Sequence, residues 1–129
     1  MANNIDGPEI TLKASGDLSA AQFLIVTLDT NGRVKLADDA DDPVEALIGI
    51  LQNKPDALDK GAVVRIGGVA KVEGGATINE GVWVTCDSAG KLAAAVANDN
   101  VIGITLDAAV SGSLGRILLA QTGGHVVPA

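Results

Sequence analysis

Glycine sets the limits on what this chain can fold into. There are 16 glycines in 129 residues, and they stand between short apolar runs rather than inside long ones. That is above the ordinary share of about 7%. Glycine at this density marks tight turns and leaves little room for helices of several turns. The runs it separates are Ile10 to Ala14, Gln22 to Leu28, Arg33 to Ala37, Ala46 to Leu51, Ala62 to Ile66, Val69 to Glu73, Val82 to Cys86, Lys91 to Val96, Val101 to Leu106 and Arg116 to Gln121. Each has strand length, and most are rich in Val, Ile and Leu, whose branching suits a pleated surface. Many short strands at regular spacing predict an all-β chain, a small β-barrel or β-sandwich. Leu18 to Gln22 and Pro43 to Ala46 allow single helical turns at most.

The strongest turn signal is Thr30-Asn31-Gly32-Arg33. Asn-Gly supports the positive φ values of a tight primed hairpin. An equivalent segment recurs. Asp29-Thr30-Asn31-Gly32 followed by Arg33 matches Asp87-Ser88-Ala89-Gly90 followed by Lys91. Ile48-Gly49-Ile50 matches Ile102-Gly103-Ile104, Gly16 is set against Gly74, and Val63 to Ile66 against Arg116 to Leu119. The pattern implies an internal duplication of two β units about a pseudo-two-fold axis. Gly49 and Gly103, inside strands, mark bulges or close backbone approach. The domain division is an extended N-terminal arm at 1–9, one β domain at 10–121 and a C-terminal tail at 122–129. One domain of this length buries about two-thirds of its unfolded surface.

Charge narrows the partners. The net charge is -7, which argues against nucleic acid and anionic membranes, since both want clustered Lys and Arg. No apolar run nears the roughly 20 residues of a membrane span, and Met1 to Glu9 lacks the basic-then-apolar pattern of a signal peptide. A single Cys86 rules out an internal disulfide framework.

Catalytic constellations are missing. The one histidine, His125, sits near the chain end and reads as a tail residue. Cys86 follows Val82 and Val84 on one face of a strand and reads as a small core residue. Asp38, Asp39, Asp41, Asp42 and Glu45 form the densest acidic cluster, but their spacing does not match a calcium loop. Gly67-Gly68 and Gly74-Gly75 open no helix and precede no Lys-Ser or Lys-Thr pair, so they are not phosphate loops. With only Phe23 and Trp83 as aromatics, sugar-stacking platforms are scarce. Lys54 lacks the flanking residues of a lipoyl hairpin. The expectation is therefore no enzyme, no cofactor and no metal.

Three segments together resemble one family. They are Gly16-Asp17-Leu18-Ser19-Ala20-Ala21-Gln22-Phe23 with Val26-Thr27-Leu28-Asp29, then Ile48-Gly49-Ile50-Leu51-Gln52-Asn53-Lys54-Pro55, then Asn79 to Lys91 with Val101-Ile102-Gly103-Ile104. In order and spacing, over roughly Leu12 to Gln121, they resemble the capsid decoration or cement proteins of tailed bacteriophages. The resemblance implies a β-tulip-like fold and a structural virion protein on the outer surface of the head, made in the host cytoplasm. It also implies homotrimers that bind after shell expansion and bridge major capsid proteins. It supplies no catalytic residues. The arm would add a strand to a neighbour's sheet edge, with Ile5, Pro8, Ile10 and Leu12 as interface residues. The competing expectation is a soluble β binding module, for carbohydrate or within a surface assembly.

Overall fold

The structure, a computed structural model, describes residues 7–38, 46–96 and 99–119. Within them the chain forms ten strands and no helix. They are β1 (Glu9–Lys13), β2 (Ile25–Leu28), β3 (Val34–Leu36), β4 (Gly49–Leu51), β5 (Gly61–Arg65), β6 (Val69–Glu73), β7 (Trp83–Cys86), β8 (Leu92–Ala94), β9 (Gly103–Thr105) and β10 (Leu114–Leu119). Each falls in or beside one of the apolar runs of the sequence. Strand β1 starts at Glu9, so the β domain takes in the last residue assigned to the arm. The acidic residues Asp39, Asp41, Asp42 and Glu45, and also His125, lie outside the described residues.

The strands pair antiparallel into two five-stranded sheets, ordered β1-β5-β4-β2-β3 and β6-β10-β9-β7-β8. The two orders are the same once β6 to β10 are read as a second β1 to β5. The sheets do not close on one another, so of barrel and sandwich the fold is the sandwich. The duplication extends to single hydrogen bonds. Ile48 N donates to Val26 O at 3.0 Å and Ile102 N to Val84 O at 2.9 Å. Ala37 N reaches Ile25 O as Ala95 N reaches Trp83 O, each at 3.0 Å. The first unit's Ala14, not Gly16, is the counterpart of Gly74. Both follow the first strand of their unit, and the next residues, Ser15 and Gly75, donate to Val34 O and Leu92 O at 2.9 Å.

The two hairpin turns share one construction, and it is not the primed turn expected from Asn-Gly. Within them only Gly32 (φ 77°) and Gly90 (φ 76°) have positive φ, whereas the Asn-Gly primed type needs it at both central residues. Asp29 N bonds Arg33 O at 2.8 Å, and Gly32 N bonds Asp29 O at 3.1 Å. The second turn gives 2.8 and 3.2 Å for the same bonds. Each is a three-residue loop ending in a left-handed glycine. The leading aspartate fixes it: Asp29 Oδ1 accepts from Asn31 N and Arg33 N, and Asp87 Oδ1 from Ala89 N and Lys91 N. Asparagine at position 31 contributes only its backbone to these bonds.

Burial divides into two clusters. One lies within the first unit: Val26, Val34, Leu51, Ala62 and Val64 are covered by Ala14, Leu18, Ala21 and Leu24 from the long β1–β2 connection. The other joins the units. Ile25, Ala37, Leu47 and Ile50, from the opposite face of the first sheet, pack with Val72, Val84, Cys86, Leu92, Ile117 and Leu119 of the second. Cys86 is a buried core residue. The first sheet is thus apolar on both faces and lies between its own loop layer and the second sheet.

Equivalent threonines end differently. Thr27 Oγ1 donates to Ala46 O at 2.5 Å. Its counterpart Thr85 is as buried, yet its Oγ1 has no hydrogen-bond partner among the described residues. A buried hydroxyl left unbonded costs about 1–3 kcal/mol. Thr85→Val should therefore raise stability by about 1 kcal/mol, and Thr27→Val should lower it by a similar amount. Urea unfolding of both variants measures this; equal effects of the same sign would refute it.

Candidate docking surfaces

Strand β1 is an edge strand of the first sheet, paired with β5 from Glu9↔Arg65 to Lys13↔Gly61. Its register explains where the expected interface residues lie. Ile10 and Leu12 stand opposite the buried Val64 and Ala62. Leu12 packs on the first unit's core, whereas Ile10 stays 37% exposed at its rim. Pro8 is exposed, and its carbonyl accepts from Ile66 N at 3.0 Å. The Glu9 carboxylate meets Arg65 Nη2 at 2.6 Å. Residues 8 to 12 are therefore tied to their own chain, with the outer edge of β1 presented outward. Ile5 lies outside the described residues.

Beside this edge runs an open groove of about 620 Å³, lined by Thr11, Lys13, Asn31, Gly32, Arg33 and Gly61. It sits between β1 and the first hairpin turn. Arg33, which lines it, reaches Asp59 Oδ1 through Nε at 2.7 Å. That contact raises the Arg33 pKa and lowers that of Asp59, with the hydrogen bond as the main cause in both. Asp59 holds φ at 69°, a conformation that Asp and Asn tolerate better than most residues.

The second surface is the outer face of the second sheet. Trp83 is paired with Ile104, Ile104 with Leu118, and Leu118 with Val69, so four apolar side chains form one row across β7, β9, β10 and β6. Trp83 is 42% exposed and Leu118 45%. The row is bordered by Arg116, whose Nε and Nη2 hold Asp107 at 2.8 and 2.9 Å. That two-pronged bond is the main reason Asp107 ionises below the usual carboxylate range. Sequence reading missed this row. Trp83 was legible as a lone aromatic in a strand, but not as the end of a stripe assembled by pairing.

Asp17 and Asp29 are also shifted downward. For Asp17 the leading cause is the Ser19 hydroxyl, and for Asp29 it is the backbone N–H of Arg33. With Asp59 and Asp107 these groups hold protons less tightly when folded than when unfolded. Their contribution is present above the ordinary carboxylate pKa and is lost as pH falls through the lower folded values. Thermal melts should be flat from neutral pH down to about 5 and decline below about 4. Asp107→Asn should make that decline shallower; an unchanged acid slope would refute the assignment.

Among the described residues no three of His, Cys, Asp and Glu come close enough to hold a metal ion. No helix among them is long and apolar enough to cross a membrane. A smaller cleft of about 230 Å³ between the two units gathers Phe23, Arg65, Lys71 and Arg116. Phe23 lines it with φ at 66°, its N–H bonding Leu51 O and its carbonyl accepting from Glu73 N. The strained backbone therefore ties the first unit to the second.

The fold has a solved counterpart. This chain is similar to the N base of the head fiber protein gp8.5 of bacteriophage phi29, with a TM-score of 0.63 at 16% sequence identity. The match covers 88% of this chain and 94% of the other. At that identity the likeness is one of fold, and it takes in both β units. The counterpart is described as a head fiber base. No protein-family model matches the sequence, and no curated protein does.

Proposed function

We propose that this chain is a structural protein of a tailed-phage virion, attached to the outside of the head, and not an enzyme. The fold match to a phage head-fiber base along nearly the full length of both chains carries the reading. The sequence resemblance to decoration proteins points the same way from different residues. In its finer form the protein acts as a cement: a homotrimer that binds major capsid proteins after expansion and bridges them. The surfaces suit that work better than catalysis. They offer an open sheet edge at β1, a groove beside it and an apolar row on the second sheet, all on a rigid sandwich. Many symmetric copies would add avidity to modest individual contacts. An acidic chain on the outside of the shell needs no contact with the packaged DNA.

Cosedimentation of the purified chain with expanded and unexpanded heads tests this directly. Saturable binding to expanded heads is expected, together with a higher temperature of head disruption. A protein that ignores both kinds of head, encoded away from capsid genes, would sink the reading. Truncation refines it. Deleting residues 1–6 spares the Pro8 and Glu9 contacts and should leave the melting temperature unchanged while lowering head occupancy. Full occupancy after that deletion would remove the arm from the mechanism.

A further inference from the structure

Each unit has a mouth between the end of its first strand and its hairpin turn. In the second unit the main chain of the first passes through it. Glu73, the last residue of β6, donates from N to Phe23 O at 3.0 Å, and Gly90 O, in the turn, accepts from Ile25 N at 2.8 Å. The stretch from Phe23 to Ile25 is thus held from both sides by main-chain bonds. Lys91 Nζ and Glu73 Oε2 form an ion pair at 3.0 Å beside it. A Cβ on Gly90 would sit 3.2 Å from Ile25 O and closer still to the Leu36 side chain.

The counterparts in the first unit are Lys13 for Glu73, Gly32 for Gly90 and Arg33 for Lys91. They line the open groove of about 620 Å³ beside β1. The main chain is set as in the second unit. Ala14 N donates to Lys60 O at 2.8 Å, as Gly74 N does to Ser113 O at 2.9 Å. Bonds alternate along an antiparallel pair, so the Lys13 N–H points away from β5, as the Glu73 N–H points away from β10 to Phe23. Outward groups on a strand edge are a template for another chain. A Cβ on Gly32 would meet nothing within 4 Å. The charges differ. The second unit has an acid and a base bonded to each other, whereas the first has two bases. Arg33 is bonded to Asp59, and among the described residues no carboxylate forms an ion pair with Lys13. The groove therefore favours a main chain that brings its own carboxylate.

We infer that this groove receives residues 1–6 of a second copy of this chain, extended between Lys13 N and Gly32 O, with Asp6 as the carboxylate beside Lys13. The segment carries Asp6 next to the apolar Ile5 and has no basic side chain. It is longer than the Phe23 to Ile25 stretch that the second unit's mouth holds. The same chain's own segment stops short. Gly7 lies against the Gly67 carbonyl at the far end of β1, about 20 Å of extended chain from Lys13. Folded back through a two-residue turn at Ile5 and Asp6, the tightest a hairpin uses, Asn4 would lie opposite Gly7 and Met1 opposite Ile10. The occupant is then a neighbour's arm. Such a contact is heterologous, so repetition closes a ring if the rotation closes and otherwise gives a filament. The homotrimer of the proposed function is one such ring, but the inference rests on the internal repeat. A chain that exchanges arms yet ignores phage heads would fail the virion reading alone.

A chain lacking residues 1–6 and a fluorescent peptide of residues 1–8 provide the test. Fluorescence anisotropy should show saturable binding. Lys13→Glu in the truncated chain restores the charges of the second unit and should weaken binding about tenfold or more. An Asp6→Lys peptide should bind that variant better than the unchanged peptide does. Gly32→Asn should weaken binding as well, because its side chain crowds the bound main chain, while Asn tolerates the left-handed backbone and has open space in the free chain. Lys54→Glu, outside the groove, should leave binding unchanged. Circular dichroism melts keep folding separate, with Lys13→Ala as the milder variant should Lys13→Glu melt early. In analytical ultracentrifugation the full chain should assemble with rising concentration and the truncated chain should not. Peptide binding weaker than about 1 mM, or equal binding by the Lys13→Glu and parent grooves, would overturn the inference. Tighter binding of a peptide of residues 38–45 would give the groove to the acidic loop instead, and a full chain that stays monomeric would rule out exchange.

Discussion

Gly49→Ala and Gly103→Ala are each expected to cost about 3 kcal/mol or more. The two glycines are equivalent, one in β4 and one in β9. A Cβ on Gly49 would overlap the Arg65 carbonyl and crowd Val64 Cγ1; one on Gly103 would overlap the Leu118 carbonyl. In both the obstacle is the backbone of the neighbouring strand, which cannot rotate away as a side chain would. Relief would require β4 to part from β5, or β9 from β10, at the centre of a sheet. Against a total stability of about 5–15 kcal/mol this is enough to bring the chain near its threshold. Gly16 is the control, with open space around its Cβ and no positive φ. Gly16→Ala should be neutral or slightly stabilising, by up to about 1 kcal/mol, through loss of unfolded-state freedom. Urea denaturation followed by far-ultraviolet circular dichroism measures all three, and a mild effect at Gly49 would contradict the close approach.

Ile25→Ala and Ile50→Ala come next, each lowering stability by about 2–5 kcal/mol as expected for a buried large-to-small change. Both side chains have no exposed surface and lie in the cluster that joins the sheets. Their repeat counterpart gives the contrast. Trp83→Ala, at protein concentrations too low for assembly, should change stability by less than about 1 kcal/mol. Sequence alone would rank the tryptophan as the costlier loss, because it is the larger residue at the same place in the repeat. The opposite order is expected because Ile25 is fully buried whereas Trp83 is 42% exposed. Equal losses at Ile25 and Trp83 would mean that the second sheet's outer face is already covered in the monomer.

What the sequence determined by itself was local. Strand positions follow from the short apolar runs between turn residues, and all ten strands lie in or next to those runs. The duplication was readable because Asp29 to Arg33 and Asp87 to Lys91 carry the same side-chain and glycine requirements, which act within a few residues. The tight places at Gly49 and Gly103 were marked by glycine inside a strand. Tertiary structure decided the rest. Ile25-Val26-Thr27-Leu28 alternates apolar and near-apolar residues on both faces, so periodicity could not say which face meets the second sheet. The turn at Asn31-Gly32 was misread as primed because the dipeptide outweighed Asp29, whose carboxylate holds the loop in another form. The choice of sandwich over barrel, and the one-way contact that buries Gly90 and exposes Gly32, depend on how two nearly equivalent units stack. Pairing within a sheet is set by neighbours of known sequence. Stacking between sheets is set by shapes that come together only after both have formed, and so the surface around Trp83 became visible only in three dimensions.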